Sequence, residues 1–77
     1  MEYETIKING IKIKALKTEK RVVTSHLEVV GKKIIYIIPL DIKLYKMIPD
    51  RVKINNKIFY KTNIVNINQK DFKLIEI

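Results

Sequence analysis

The chain has no cysteine, no tryptophan, one histidine, two glycines and two prolines in 77 residues. Without cysteine there is no disulfide framework, no thiolate zinc site and no cysteine nucleophile. A single histidine excludes a multi-histidine metal site within one chain. So little glycine and proline excludes a collagen-like or low-complexity chain. The longest apolar run, Ile34 to Leu40, is far shorter than the roughly 18 residues of a membrane-spanning helix. The chain opens Met1-Glu2-Tyr3-Glu4, acidic and polar, so no signal peptide, no membrane and a cytoplasmic location are expected.

What is present is charge of one sign and isoleucine. Sixteen Lys+Arg oppose eight Asp+Glu, a formal net charge of +8. Apolar residues make up 47% of the chain, too many for intrinsic disorder, so a single domain over residues 1–77 is expected. The charge has two readings. A polyanionic partner selects for it. A coding bias is the rival explanation, slightly the less favoured, since sixteen Ile, fourteen Lys and six Asn are what an AT-rich gene accumulates.

Hydropathy patterning points to β structure. Thr5-Ile6-Lys7-Ile8 and Ile11-Lys12-Ile13-Lys14 alternate strictly around Asn9-Gly10. Asn-Gly suits a type I′ turn, which needs positive φ at both central residues. The two-residue loop pairs Ile8 with Ile11, Lys7 with Lys12 and Ile6 with Ile13, so four isoleucines share one face. Lys7, Lys12 and Lys14 share the other. Lys17 to Arg21 reads as a polar link. Val22 to Val30 and Lys33 to Ile38 read as a second hairpin turning at Gly31-Lys32. The run Ile34 to Ile38 suggests a strand buried on both faces, in the domain centre or a dimer interface. Leu40, Leu44 and Ile48 repeat at helical spacing, which predicts one short helix over about 40–48, with Asp41 in its favourable first turn. Asn55-Asn56 turns a third hairpin, Ile64 to Ile67 continues as β structure, and Phe72 to Ile77 is a last strand. The fold class expected is mainly β: a small barrel, or a swapped-hairpin β dimer, with one short helix.

No catalytic constellation emerges. Ser25 and His26 are neighbours on a strand pattern, so their side chains point apart. Asp41, Asp50 and Asp71 are isolated, and there is no Gly-rich phosphate loop. Neither an enzyme, a cofactor nor a metal site is expected. Tyr36 and Tyr60 could stack bases, yet both lie in segments that look buried, and core packing is the favoured reading of each aromatic.

Lys33-Ile-Ile-Tyr-Ile-Ile-Pro39, a short helix Leu40 to Ile48, and Asp50-Arg51-Val52-Lys53-Ile54 resemble the core of the AbrB/SpoVT-like swapped-hairpin DNA-binding family. The likeness spans about residues 20–65, with Pro49 where the family usually has Gly. It implies an intertwined homodimer that binds duplex DNA. The matching basic positions are Lys20, Arg21, Lys32, Lys33, Lys43 and Lys46. Turn chemistry independently favours Lys32 and Lys33 as exposed. The first expectation is therefore a small basic DNA-binding homodimer, a transcriptional regulator or antitoxin-like module. Its alternative is a non-enzymatic SH3- or OB-like barrel that binds a protein partner or RNA. Duplex DNA binding expects the six basic residues on one face. RNA binding expects N-terminal lysines beside exposed tyrosines.

Overall fold

A computed structural model describes residues 2–23, 26 and 29–77. Six antiparallel strands and one helix follow in the order β1 (Glu2–Ile8), β2 (Ile11–Val23), β3 (Val29–Pro39), α1 (Ile42–Met47), β4 (Arg51–Ile54), β5 (Lys57–Lys61) and β6 (Asp71–Glu76). They form one sheet in the order β1-β2-β3-β6-β5-β4. Two meanders, β1-β2-β3 and β4-β5-β6, join where β3 pairs with β6. The sheet curls into a half-barrel that brings β1 close to β4. The chain is mainly β, with one short helix.

Local chemistry sets the hairpins. The first has the register of a two-residue loop, with Ile8 opposite Ile11, Lys7 opposite Lys12 and Ile6 opposite Ile13. Asn9 and Gly10 have φ of 50° and 82°, the left-handed values a type I′ turn needs. Asn55 and Asn56 supply the same geometry between β4 and β5, with φ of 50° and 66°. Asn tolerates this region because its short polar side chain can bond locally.

The alternation then fills the concave side. Ile6, Ile8, Ile13, Ala15, Tyr36, Ile38, Val52, Ile54, Phe59, Phe72 and Leu74 are buried together there, and Ile48 joins them from the end of α1. Phe59 packs tilted on Tyr36 at 5.3 Å between ring centroids, and Tyr45 meets Phe72 edge-on at 5.1 Å. The helix is shorter than its pattern. Asp41 is its N-cap, accepting from the amides of Lys43 (3.0 Å) and Leu44 (3.3 Å), and Ile48 is the C-cap. Leu40, Leu44 and Tyr45 pack against the core.

Three expectations are corrected. Lys17–Arg21 is no link, because β2 runs through it without a break. Its side chains alternate faces like any strand, and Lys17 reaches back to Glu4 at 3.7 Å. Gly31-Lys32 is no turn: Gly31 lies within β3 opposite Val22, and only Gly10 of the two glycines has positive φ. The chain reverses earlier, between the end of β2 and the start of β3, where His26 sits in a turn and is exposed. Ser25, the other half of the Ser25-His26 pair, lies outside the described residues. Ile64–Ile67 is not a strand. Residues 62–70 form a loop held by its own amides: Asn66 Oδ1 accepts from Asn68 N, and Gln69 Oε1 accepts from Val65 N. Such side-chain bonds compete with a ladder.

The open end of the half-barrel carries a polar cluster. The Tyr36 hydroxyl donates to Glu4 at 3.4 Å, and Glu4 faces Lys17. Burial, reinforced by the charges of Glu4 and Glu76, pushes the Tyr36 hydroxyl up from 10.0 to about 12. A neutral phenol is thus favoured in the folded chain. Stability from this site is complete below pH ~10, the unfolded tyrosine value. It is lost as pH rises from there through about 12. Between those limits the unfolded chain releases the proton first. In urea titrations at rising alkaline pH, wild type is therefore expected to lose stability more steeply than Tyr36→Phe. Identical pH slopes would contradict this placement.

Candidate functional site

The pleat sorts the charge. On the convex face, opposite the core, lie Lys7 (β1), Lys12, Lys14 and Lys20 (β2), Lys33 (β3), Lys73 (β6), and Arg51 and Lys53 (β4). The single carboxylate on that face among the described residues is Asp71, across from Pro39 at the end of β6. The concave side is mixed: Lys17, Arg21, Lys32, Lys57 and Lys61 stand with Glu2, Glu4, Glu19 and Glu76. Ion pairs follow this division. Lys17–Glu4, Lys32–Glu19, Lys57–Glu76 and Lys61–Asp50 all use lysines of the concave side. None of the eight convex-face cations pairs with a carboxylate among the described residues.

The middle of this basic face is apolar. Leu16 pairs with Ile37, Ile35 with Ile75, Ile75 with Tyr60, and Ile58 with Lys53. Leu16, Ile35, Ile37 and Ile75 are half-buried by one another, while Ile58 and Tyr60 are 50% and 41% exposed. The run 34–38 is thus explained within one chain. Tyr36 and Ile38 enter the core, and Ile35 and Ile37 form the centre of the outer face.

Both outward tyrosines correct the expectation that every aromatic packs in the core. Tyr60 alternates with buried Phe59, so its ring must face out once Phe59 faces in. Tyr3 is 69% exposed at the other margin, with the Lys14 ammonium 4.9 Å from its ring centroid. Tyr36, Phe59 and Phe72 do pack inside.

Beyond Glu2 on β1 and Glu76 on β6, β2 and β3 continue alone as a two-stranded ribbon. Four of the six candidate basic residues are here. Lys20 stands opposite Lys33 on the convex face, and Arg21 opposite Lys32 on the other. Lys43 and Lys46 are exposed on α1. They follow Pro39, the end of β3, which lies about 20 Å from Lys33 at the usual strand rise. The six therefore form three pairs, and only Lys20 and Lys33 belong to the convex basic face. Sequence reading passed over Arg51, Lys53 and Lys73 as site residues; their strand parity, opposite to that of Val52, Ile54, Phe72 and Leu74, was the available signal.

Where the ribbon leaves the sheet, a groove is lined by Lys20, Lys33, Tyr60 and Ile75 of the convex face, and at the sheet edge by Arg21 and Glu76 of the concave side. A second groove, beside the 62–70 loop, shares Ile75 and adds Lys73, Val65 and the carboxylate of Asp71. The two meet at Ile75, with the Tyr60 ring on one side and Lys20, Lys33 and Lys73 along the convex-face margins; among the described residues one carboxylate borders each, Glu76 and Asp71. Among the described residues no three of His, Cys, Asp and Glu are placed to hold a metal, and no helix is long and apolar enough to cross a membrane. The chain matches no family model, no curated protein and no solved structure.

Proposed function

We propose that this protein is a non-enzymatic nucleic-acid-binding domain that lays its ligand across the convex face of the sheet. The observation that carries this reading is the segregation of charge: eight basic side chains against Asp71, none of them neutralised by a protein carboxylate among the described residues. Burial alone keeps lysine off the core side, but a coding bias toward lysine does not explain why, among the described residues, carboxylates are nearly absent from the convex face while the concave periphery carries four. A surface kept free for phosphates does, because each internal ion pair would have to be broken on binding. The opposed pairs Lys7–Lys12 and Lys20–Lys33 support the same view. Like charges directly across a ladder are destabilising in the free protein, and an anion between them removes the repulsion.

The test is fluorescence anisotropy with labelled oligonucleotides over a salt series. Binding is expected in the micromolar range at low salt, with log affinity falling linearly as log salt rises. No binding to any oligonucleotide at low salt would overturn the proposal. A second reading, a protein-interaction module or homodimer that covers Ile35, Ile37 and Ile75, is favoured by the apolar centre of the face. It expects a dimer by sedimentation equilibrium and no oligonucleotide binding.

A further inference from the structure

We infer that the ligand of the convex face is a single strand, with unpaired bases stacked on Tyr60 and Tyr3 and phosphates held by the surrounding lysines. This rests on the nucleic-acid reading above and names its substrate class. A duplex presents phosphates and sugars outward and hides the faces of its bases. It would satisfy Lys20, Lys33 and Lys73 but would leave Ile35, Ile37, Ile75 and the ring of Tyr60 against a hydrated, charged backbone. An unpaired strand offers both surfaces this face asks for, a polyanion for its margins and flat apolar rings for its centre. The groove beside Tyr60 combines the two within one nucleotide's reach: the Tyr60 ring and Ile75, with Lys20 and Lys33 at the rim and one carboxylate, Glu76, at the sheet edge, where Lys57 neutralises it. At the opposite margin Tyr3 repeats the arrangement, an exposed ring already attended by a lysine. Stacking needs no particular base, so the selectivity expected is for unpaired over paired strands, with little preference for sequence.

The experiment compares three labelled probes of about 12 nucleotides or base pairs, a length within the span such surfaces cover. They are oligo(dT), oligo(U) and a mixed-sequence DNA duplex, tested with wild type, Tyr60→Ala and Tyr60→Phe. Both single strands are expected to bind about 10-fold tighter than the duplex, the worth of roughly one stacked base. Tyr60→Ala is expected to erase most of that difference by lowering single-strand affinity far more than duplex affinity, while Tyr60→Phe, which keeps the ring, retains it. Tyr60 packs on Ile75 across the ladder, so Tyr60→Ala is expected to lower Tm by a few degrees and Tyr60→Phe hardly at all; a cooperative melt above the assay temperature for both guards against misfolding. Equal or tighter duplex binding overturns the inference and leaves the nucleic-acid reading standing. So does an equal loss by Tyr60→Ala on all three probes. Failure of every probe removes both. Comparison of oligo(dT) with oligo(U) separates DNA from RNA as the natural source of the strand.

Discussion

Lys61→Met is expected to be among the most destabilising surface-to-apolar exchanges in the chain, at about 2–3 kcal/mol. Lys61 is drawn under the helix: its side chain is only 9% exposed. Its ammonium donates to the carbonyl of Ile48 at 2.7 Å and of Tyr45 at 3.0 Å, and lies 4.0 Å from the centroid of the Tyr45 ring. These carbonyls belong to the last turn of α1, where backbone acceptors lack intrahelical partners and the helix dipole favours a cation. The Lys61 amide adds a bond to Asp50 O at 2.8 Å, so one residue ties β5 to both ends of the α1–β4 junction. Methionine keeps the apolar stem and deletes the donors. The Tyr45 carbonyl retains a weak bond from Ile48 N, whereas the Ile48 carbonyl loses its charged donor. In a domain of this size a loss of that order lowers Tm by about 15 °C. Chemical denaturation measures the loss, and hydrogen exchange at the Tyr45 and Ile48 amides reports whether the helix frays first. The penalty is expected to persist at high salt, because the contact is shielded from solvent. The exposed Lys17–Glu4 and Lys32–Glu19 pairs are worth little and are screened away. A penalty below about 1 kcal/mol would mean that core packing of Leu44 and Ile48 alone holds the helix.

What the sequence discloses is what neighbouring residues decide among themselves. Asn9-Gly10 and Asn55-Asn56 demand positive φ and so fix two hairpins with their registers. Leu40, Leu44 and Ile48 place α1, and Asp41 caps it. What stays hidden depends on partners far along the chain. Gly31 looks like a turn residue, yet the pairing of Val29 with Val23 carries β3 past it. Lys17–Arg21 looks like a link, yet β3 offers a partner for every one of those residues. Ile64–Ile67 has strand composition, but the ladder between β5 and β6 closes at Lys61 opposite Leu74. The candidate site was half legible for the same reason. A basic cluster at Lys20-Arg21 and Lys32-Lys33 is visible in one dimension. That Lys20 and Lys33 face one way, and Arg21 and Lys32 the other, follows only from the register. Tyr60 is the clearest case, since its exposure is dictated by the burial of Phe59 beside it.

Reversing charge at two places separates a built surface from a merely basic chain. Lys20→Glu with Lys33→Glu, and Lys43→Glu with Lys46→Glu, change the net charge by the same amount. The first pair rims the groove at Tyr60; the second is exposed on α1, beyond the far end of β3. If affinity answers only to total charge, both variants lose alike. If phosphates cross the convex face, the first is expected to lose about 100-fold in single-strand affinity, and its salt slope to fall by about 1.4, the share of two phosphate contacts. The second is expected to lose no more than about 3-fold, because Lys43 and Lys46 stand on α1, off the convex face and past the end of β3, and that end is about 20 Å from Lys33, more than two Debye lengths at physiological salt. Lys20→Glu alone adds a test that binding data cannot mimic. It turns the Lys20–Lys33 opposition into an attractive cross-strand pair, so the fold is expected to gain a few tenths of a kcal/mol while nucleic-acid affinity drops. Retaining a repulsive pair costs the free protein stability. A substitution that raises stability and weakens binding together would identify that cost with the occupied state of this face. A fold unchanged or weakened by Lys20→Glu would remove the repulsion argument and leave the case to the paired reversals.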